Sequence, residues 1–159
     1  MKGLILGDEL VSPLAQEFSY NPSLKVLHRA GATISSLTDS FLASDTFNPS
    51  VWEGVDFLWI LIGTYDIEAS ISTQNFDVKS FLANYRHLVQ MIRGHMRDIL
   101  IVCSSIIPRL GDYELSKPIV KIVNCKLQKL CEDVCRVCKD RQSFLLSGYP
   151  SRKLLPCRS

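Results

Sequence analysis

Hydrophobic positions along the chain fall into two alternating patterns. Lys2 to Leu6 is a short apolar burst ending at Gly7-Asp8, and Leu24 to Ala30 is a second run ending at Gly31. Val55 to Ile62 is nearly continuously apolar and ends at Gly63-Thr64, while Ile99 to Ile107 is stopped by Pro108. Runs of this kind, without strict alternation, are those of strands buried on both faces. Between them the spacing is helical. Leu10 to Phe18 has apolar residues at 10, 11, 14, 15 and 18, and Phe81 to Met96 has them at 81, 82, 85, 88, 89, 92 and 96. Pro118 to Asp140 repeats the pattern at 119, 122, 123, 127, 130, 134 and 137, and Ser143 to Leu146 is expected as a fifth strand. Strands alternating with helices predict βαβ crossovers and a mostly parallel sheet. In such α/β sheets ligands bind outside the carboxyl ends of the strands. The candidate binding residues are therefore Gly7, Asp8, Glu9, Gly31, Gly63, Thr64, Tyr65, Asp66 and Arg109.

Composition narrows the class. The 159 residues are 47% hydrophobic and 21% charged, which excludes a disordered chain and suits one domain over residues 1–159, with its core at about 2–146 and a tail at 147–159. The stretch Ser44 to Gly54 reads as a surface connection within that domain. The apolar core of the N-terminus is too short for a signal peptide. Phe57 to Ile62, the longest apolar run, is far below the roughly 18 residues of a membrane span. A cytoplasmic chain with reduced cysteines and no membrane partner is expected.

Charge is uneven. Residues 1–116 carry 8 basic and 13 acidic side chains, and residues 117–159 carry 10 and 3. Lys121, Lys129, Arg136 and Lys139 recur on the predicted last helix, making a candidate basic patch for nucleic acid or an acidic partner. No aromatic residues interleave with them for base stacking, and a solvated helix face is the plainer reading.

The strand ends carry a resemblance. LILGDELVSPL resembles the first block of the SGNH (GDSL-type) hydrolases, HRAGATISSL the second through Gly31, and LWILIGTYDIE the third. The stretches IVCSSIIPR and VNCKLQKLC are similar to the variety of this fold found near metazoan retroelements. The resemblance implies a flavodoxin-like, three-layer α/β/α sandwich with a five-stranded sheet in the order 2-1-3-4-5. It also implies where esterase chemistry would sit: a nucleophilic serine after strand one, the Gly31 N–H and an asparagine holding the oxyanion, and a closing Asp-x-x-His.

Against that pattern the chemistry is depleted. Glu9 stands at the nucleophile's position and Tyr65 at the asparagine's, and no histidine follows position 95. Losing one oxyanion donor costs about 100- to 1,000-fold in turnover, and a serine mechanism needs its base within hydrogen-bond reach. The expectation is a catalytically inactive domain that serves as a binding or scaffold module for a protein or nucleic-acid partner, without a cofactor. The alternatives are an acyl hydrolase with rearranged residues, drawing on Ser12, Ser35, Ser36, Ser104, Ser105 or Cys103, and a nucleic-acid-binding domain.

Other constellations have plainer readings. Asp8, Glu9 and Asp66 could converge to hold a hard cation, but Asp8 and Asp66 are expected to cap the helices that follow them, leaving Glu9 exposed. Cys131, Cys135 and Cys138 have the spacing of an iron–sulfur signature, yet lie on one face of a predicted helix, where thiolates converge poorly on a metal; they read as core sulfur. His87 and His95 read as a solvated helix face. No metal is expected.

Overall fold

The computed structural model describes residues 1–42, 52–108, 110–137 and 143–146. Five strands form one sheet: β1 (Gly3–Gly7), β2 (Leu24–His28), β3 (Phe57–Leu61), β4 (Leu100–Ser104) and β5 (Ser143–Leu146). Their order is β2-β1-β3-β4-β5, and every neighbouring pair is parallel. β1 lies inside the sheet, between β2 and β3, and is buried along its whole length, which is why its sequence shows no polar alternation. Ile5 pairs with Val26 on one side and Trp59 on the other.

The helices are α1 (Ser12–Glu17), α2 (Ile34–Leu42), α3 (Thr64–Thr73), α4 (Val78–His95) and α5 (Tyr113–Val137). Only the step from β1 to β2 runs toward that edge of the sheet; all later steps run the other way. Right-handed crossovers then place α1 on one face and α2, α4 and α5 on the other, giving three layers. The packing agrees. Leu4, Leu6, Leu58, Ile60 and Ile101 share one core with Ile34 of α2, Leu88 and Ile92 of α4, and Val123 and Leu127 of α5. Ile5 and Val11 are buried apart from that cluster, on the α1 side. Each fully buried side chain of this size stabilises the fold by about 1.5–3 kcal/mol.

Two helices were not legible in the pattern. α2 and α3 are short, and no apolar run or period marks them in the sequence; a helix after β3 is expected only from the capping preference of Asp66, and α3 holds itself down through Ile67 and Ile71. α4 starts where Asp77 accepts the N–H groups of Lys79 and Ser80 at 2.9 and 3.3 Å. α5 begins at Tyr113, ahead of the expected Pro118, which sits inside its early turns and deprives the Glu114 carbonyl of a helical donor. Among the described residues no helix is long and apolar enough to cross a membrane. Most of the connection from Ser44 to Gly54 and the tail 147–159 lie outside the described residues.

Candidate functional site

The carboxyl ends of β1, β2 and β3 meet at one place. Asp8 follows β1 fully buried, its Oδ1 accepting the Leu10 N–H at 2.9 Å and so capping the tight turn Glu9–Val11 that leads into α1. Its expected capping role holds. Glu9, inside that turn, does not face solvent as expected. It is half-buried, and its Oε2 accepts the backbone N–H of Gly31 at 2.9 Å.

Gly31 is presented to it by the turn after β2. The Arg29 N–H is held by the Gly7 carbonyl at 3.1 Å, the Ala32 N–H returns to the Arg29 carbonyl at 3.2 Å, and Gly31 between them turns at φ +67°. A side chain rarely adopts that conformation. The N–H that the sequence pattern nominates as an oxyanion donor is therefore occupied by the side chain at the nominated nucleophile's position.

Asp66 completes the arrangement from the β3 side and departs from expectation. It lies in the first turn of α3, whose N-cap is Gly63, and its carboxylate reaches across to the Ile34 N–H at 3.1 and 3.4 Å. It caps α2 and not its own helix. Burial pushes the Asp66 carboxyl above the usual carboxylate range, the Ile34 hydrogen bond pulls the other way, and the nearby Asp8 carboxylate adds to the rise. Glu9 and Asp66 thus hold the segment 31–34 through its first and last backbone N–H groups. These carboxylates are spent on backbone N–H groups, and among the described residues no group of three metal-ligating side chains comes together.

Gly63 turns at φ +124°, and a Cβ there would stand 2.6 Å from Ile106 Cδ1 and 3.0 Å from Phe81 Cζ. Thr64 is buried and Tyr65 half-buried in the turn that follows. Arg109 lies outside the described residues. Beside this cluster, and not over Gly7 and Gly31, a groove of about 190 Å³ opens between α3, the loop after β4 and α5; Ile67, Ile71, Ile106 and Val120 line it, with Glu68 and Asp112. Asn124 fixes its wall by donating to the Ile106 carbonyl at 2.9 Å and accepting the Ile106 N–H at 2.7 Å. Sequence pattern could not show this clamp, since an isolated Asn in a helix carries no signal of its partner.

The remaining candidates disperse. Ser104 Oγ accepts the indole N–H of Trp59 at 2.6 Å, and Ser36 is tied to the backbone of Thr33. His87 and His95 are exposed on α4, whereas His28 ends β2 level with Gly7 and is exposed. Cys103 and Cys131 are buried and in no disulfide; a hydrogen bond between the Cys131 thiol and Cys103, and burial, both push the Cys131 thiol up, and the Tyr85 hydroxyl in the same cluster is raised chiefly by burial. Core sulfur is the correct reading for Cys131, while Cys138 and the side chain of Cys135 lie outside the described residues. Cys125 departs from the expectation of reduced cysteines, being disulfide-bonded. Of the basic patch, Lys121 and Lys129 are exposed on α5; the side chain of Arg136, and Lys139 altogether, lie outside the described residues.

No protein-family profile matches the sequence, and no curated protein does. Solved structures do match the fold. A candidate platelet activating factor from Streptococcus pneumonia superposes with a TM-score of 0.68 at 19% identity, over 92% of this chain and 65% of its own. A GDSL-like lipase from Bacteroides thetaiotaomicron gives 0.64 at 11% identity, over 92% and 67%. A carbohydrate esterase family 3 protein from Talaromyces cellulolyticus gives 0.63 at 13%, over 92% and 79%. The fold is the one these structures share, the SGNH (GDSL) type that the strand-end blocks resemble. The chain spans just under two thirds of the length of the first of them.

Proposed function

We propose that this chain is a catalytically inactive domain of the SGNH hydrolase fold, kept as a binding module. The observation that carries the reading is the hydrogen bond from the Gly31 N–H to Glu9. Acyl transfer needs that donor free for an oxygen that becomes negative in the transition state, and here a carboxylate already sits on it. A negative oxygen arriving at Gly31 would meet the Glu9 charge at close range, so the site repels the intermediate it would have to stabilise. The amide donor is replaced by Tyr65, and no histidine is sequence-adjacent to the end of β5 to serve as base. The likeness of IVCSSIIPR and VNCKLQKLC to domains near retroelements belongs with the same reading, that of a fold retained after its chemistry was lost.

The test is direct. Purified protein incubated with short acyl p-nitrophenyl esters is expected to match a heat-killed control, and a fluorophosphonate probe is expected to label no serine. Turnover well above the control, or a labelled serine, overturns the proposal.

A further inference from the structure

Acidic side chains avoid two of the helices. All 16 Asp and Glu lie outside residues 78–97 and 115–131, while those two stretches hold eight of the chain's 18 Lys and Arg. The stretches are α4 with its exit and most of α5, which pack side by side over one face of the sheet. A helix face that only meets water ordinarily carries both signs, because opposite charges three or four residues apart support a helix and like charges oppose it. A field of one sign, unrelieved within the chain, is complementary to a polyanion.

α4 concentrates that field in a row. Lys79, Arg86 and Arg93 recur every seven residues, close to two helical turns, which sets them along one side in steps of about 10 Å. That side is opposite the buried Phe81, Tyr85, Leu88 and Ile92. Lys79 and Arg86 are exposed, Arg93 is half-buried with its guanidinium donating to the Ile99 carbonyl, and Arg97 is exposed just past the end of the helix. Neither Arg86 nor Arg97 is in an ion pair among the described residues. Between the cations the same side exposes only Ala83 and Gln90. It therefore offers no large apolar side chain to anchor a protein partner or enter a bilayer, and no aromatic ring on which an unpaired base could stack. Leu115 and Ile122, the exposed apolar side chains of this layer, stand on α5. Phosphates held in a duplex are the polyanion that needs none of these.

We propose that the outer side of α4 binds the phosphate backbone of a double-stranded nucleic acid through Lys79, Arg86 and Arg97, with the α5 lysines adding to the field. Such contacts carry no base reading, so duplexes of unrelated sequence are expected to bind alike. This names a partner for the binding module and rests on that reading. Absent duplex binding together with absent ester turnover removes the partner and leaves the inactive domain standing, whereas duplex binding together with ester turnover does the reverse.

Fluorescence anisotropy of labelled DNA and RNA duplexes of about 20 base pairs is expected to show binding that falls with salt, with a log–log slope of about −3 or steeper for three or more phosphate contacts. Arg86→Gln is expected to reduce that slope by about 1, and Arg86→Glu to weaken binding by about tenfold at about 0.1 M salt. Lys25→Glu, the same charge reversal at an exposed residue of the edge strand β2, is expected to weaken it by less than about threefold. Arg86→Gln keeps the test decisive even where the reversal fails to fold. No binding of either duplex at the lowest salt overturns the proposal. So does equal loss on Lys25→Glu and Arg86→Glu, which is the mark of net charge alone, and so does binding confined to single strands or to phosphatidylserine vesicles.

Discussion

The Glu9 carboxylate accepts the Gly31 N–H at 2.9 Å, linking the turn after β1 to the turn after β2. The bond joins residues 22 positions apart, so it fastens two strand ends and at the same time fills the donor that acyl chemistry on this fold would require. Removing it separates the two roles. Glu9→Ala is expected to lower stability by about 1 kcal/mol, the usual net worth of one hydrogen bond at a partly exposed site, and Glu9→Gln by less because the amide oxygen still accepts. Glu9→Ser is expected to show no ester hydrolysis above a heat-killed control, since on the proposed reading it supplies neither a base nor an amide donor. Denaturant melts and a p-nitrophenyl ester assay check both.

Asp66 is expected to make stability depend on pH in the sense opposite to a salt-bridged acid. Its folded carboxyl holds its proton more tightly than the unfolded one, whose ordinary value is 3.8. As pH rises through the carboxyl range, the unfolded chain releases that proton first, so ionisation favours unfolding and the contribution of Asp66 to stability falls. Asp66→Asn keeps an oxygen for the Ile34 N–H and loses the titration. The unfolding free energy of the parent relative to Asp66→Asn should therefore decline as pH rises above about 4, measured by urea denaturation. A flat difference would contradict it.

Asn124 ties α5 to the loop after β4 through both polar atoms of its amide. Asn124→Ala is expected to cost about 2–3 kcal/mol, because both polar groups of Ile106 lose their partner at a part-buried site. Asn124→Asp keeps the acceptor and loses the donor, placing a carboxylate against the Ile106 carbonyl, and should not recover the loss. Thermal melts of the two variants compare them.

Two glycines should respond to alanine with opposite signs. At Gly63 the backbone is at φ +124° and a Cβ would press on Ile106 and Phe81, so Gly63→Ala is expected to destabilise by about 2 kcal/mol or more. At Gly94, near the end of α4, nothing lies within 4 Å of a built Cβ and φ is not positive. Gly94→Ala is expected to stabilise by about 0.5 kcal/mol, through helix propensity and a less flexible unfolded chain. Denaturation midpoints of the two variants decide the signs.

What the sequence determined by itself was the sheet. Lys2 to Leu6, Val55 to Ile62 and Ile99 to Ile107 announce buried parallel strands because a strand covered on both faces must be apolar at nearly every position. The long helices α4 and α5 follow from periodicity for a similar reason, as each buries one stripe. Gly7, Gly31 and Gly63 could be marked in advance as strand ends, and Glu9 and Tyr65 could be read as departures from the blocks those strand ends resemble. The tertiary structure alone decided what the carboxylates do. Glu9 meets Gly31 and Asp66 meets Ile34 only because the parallel sheet brings three strand ends, distant in sequence, within hydrogen-bond reach. An acid at a strand end looks the same in sequence whether it caps its own helix, caps another or binds a cation. The choice is made by which backbone N–H the fold brings within reach, an exposed one at Gly31 and that of buried Ile34.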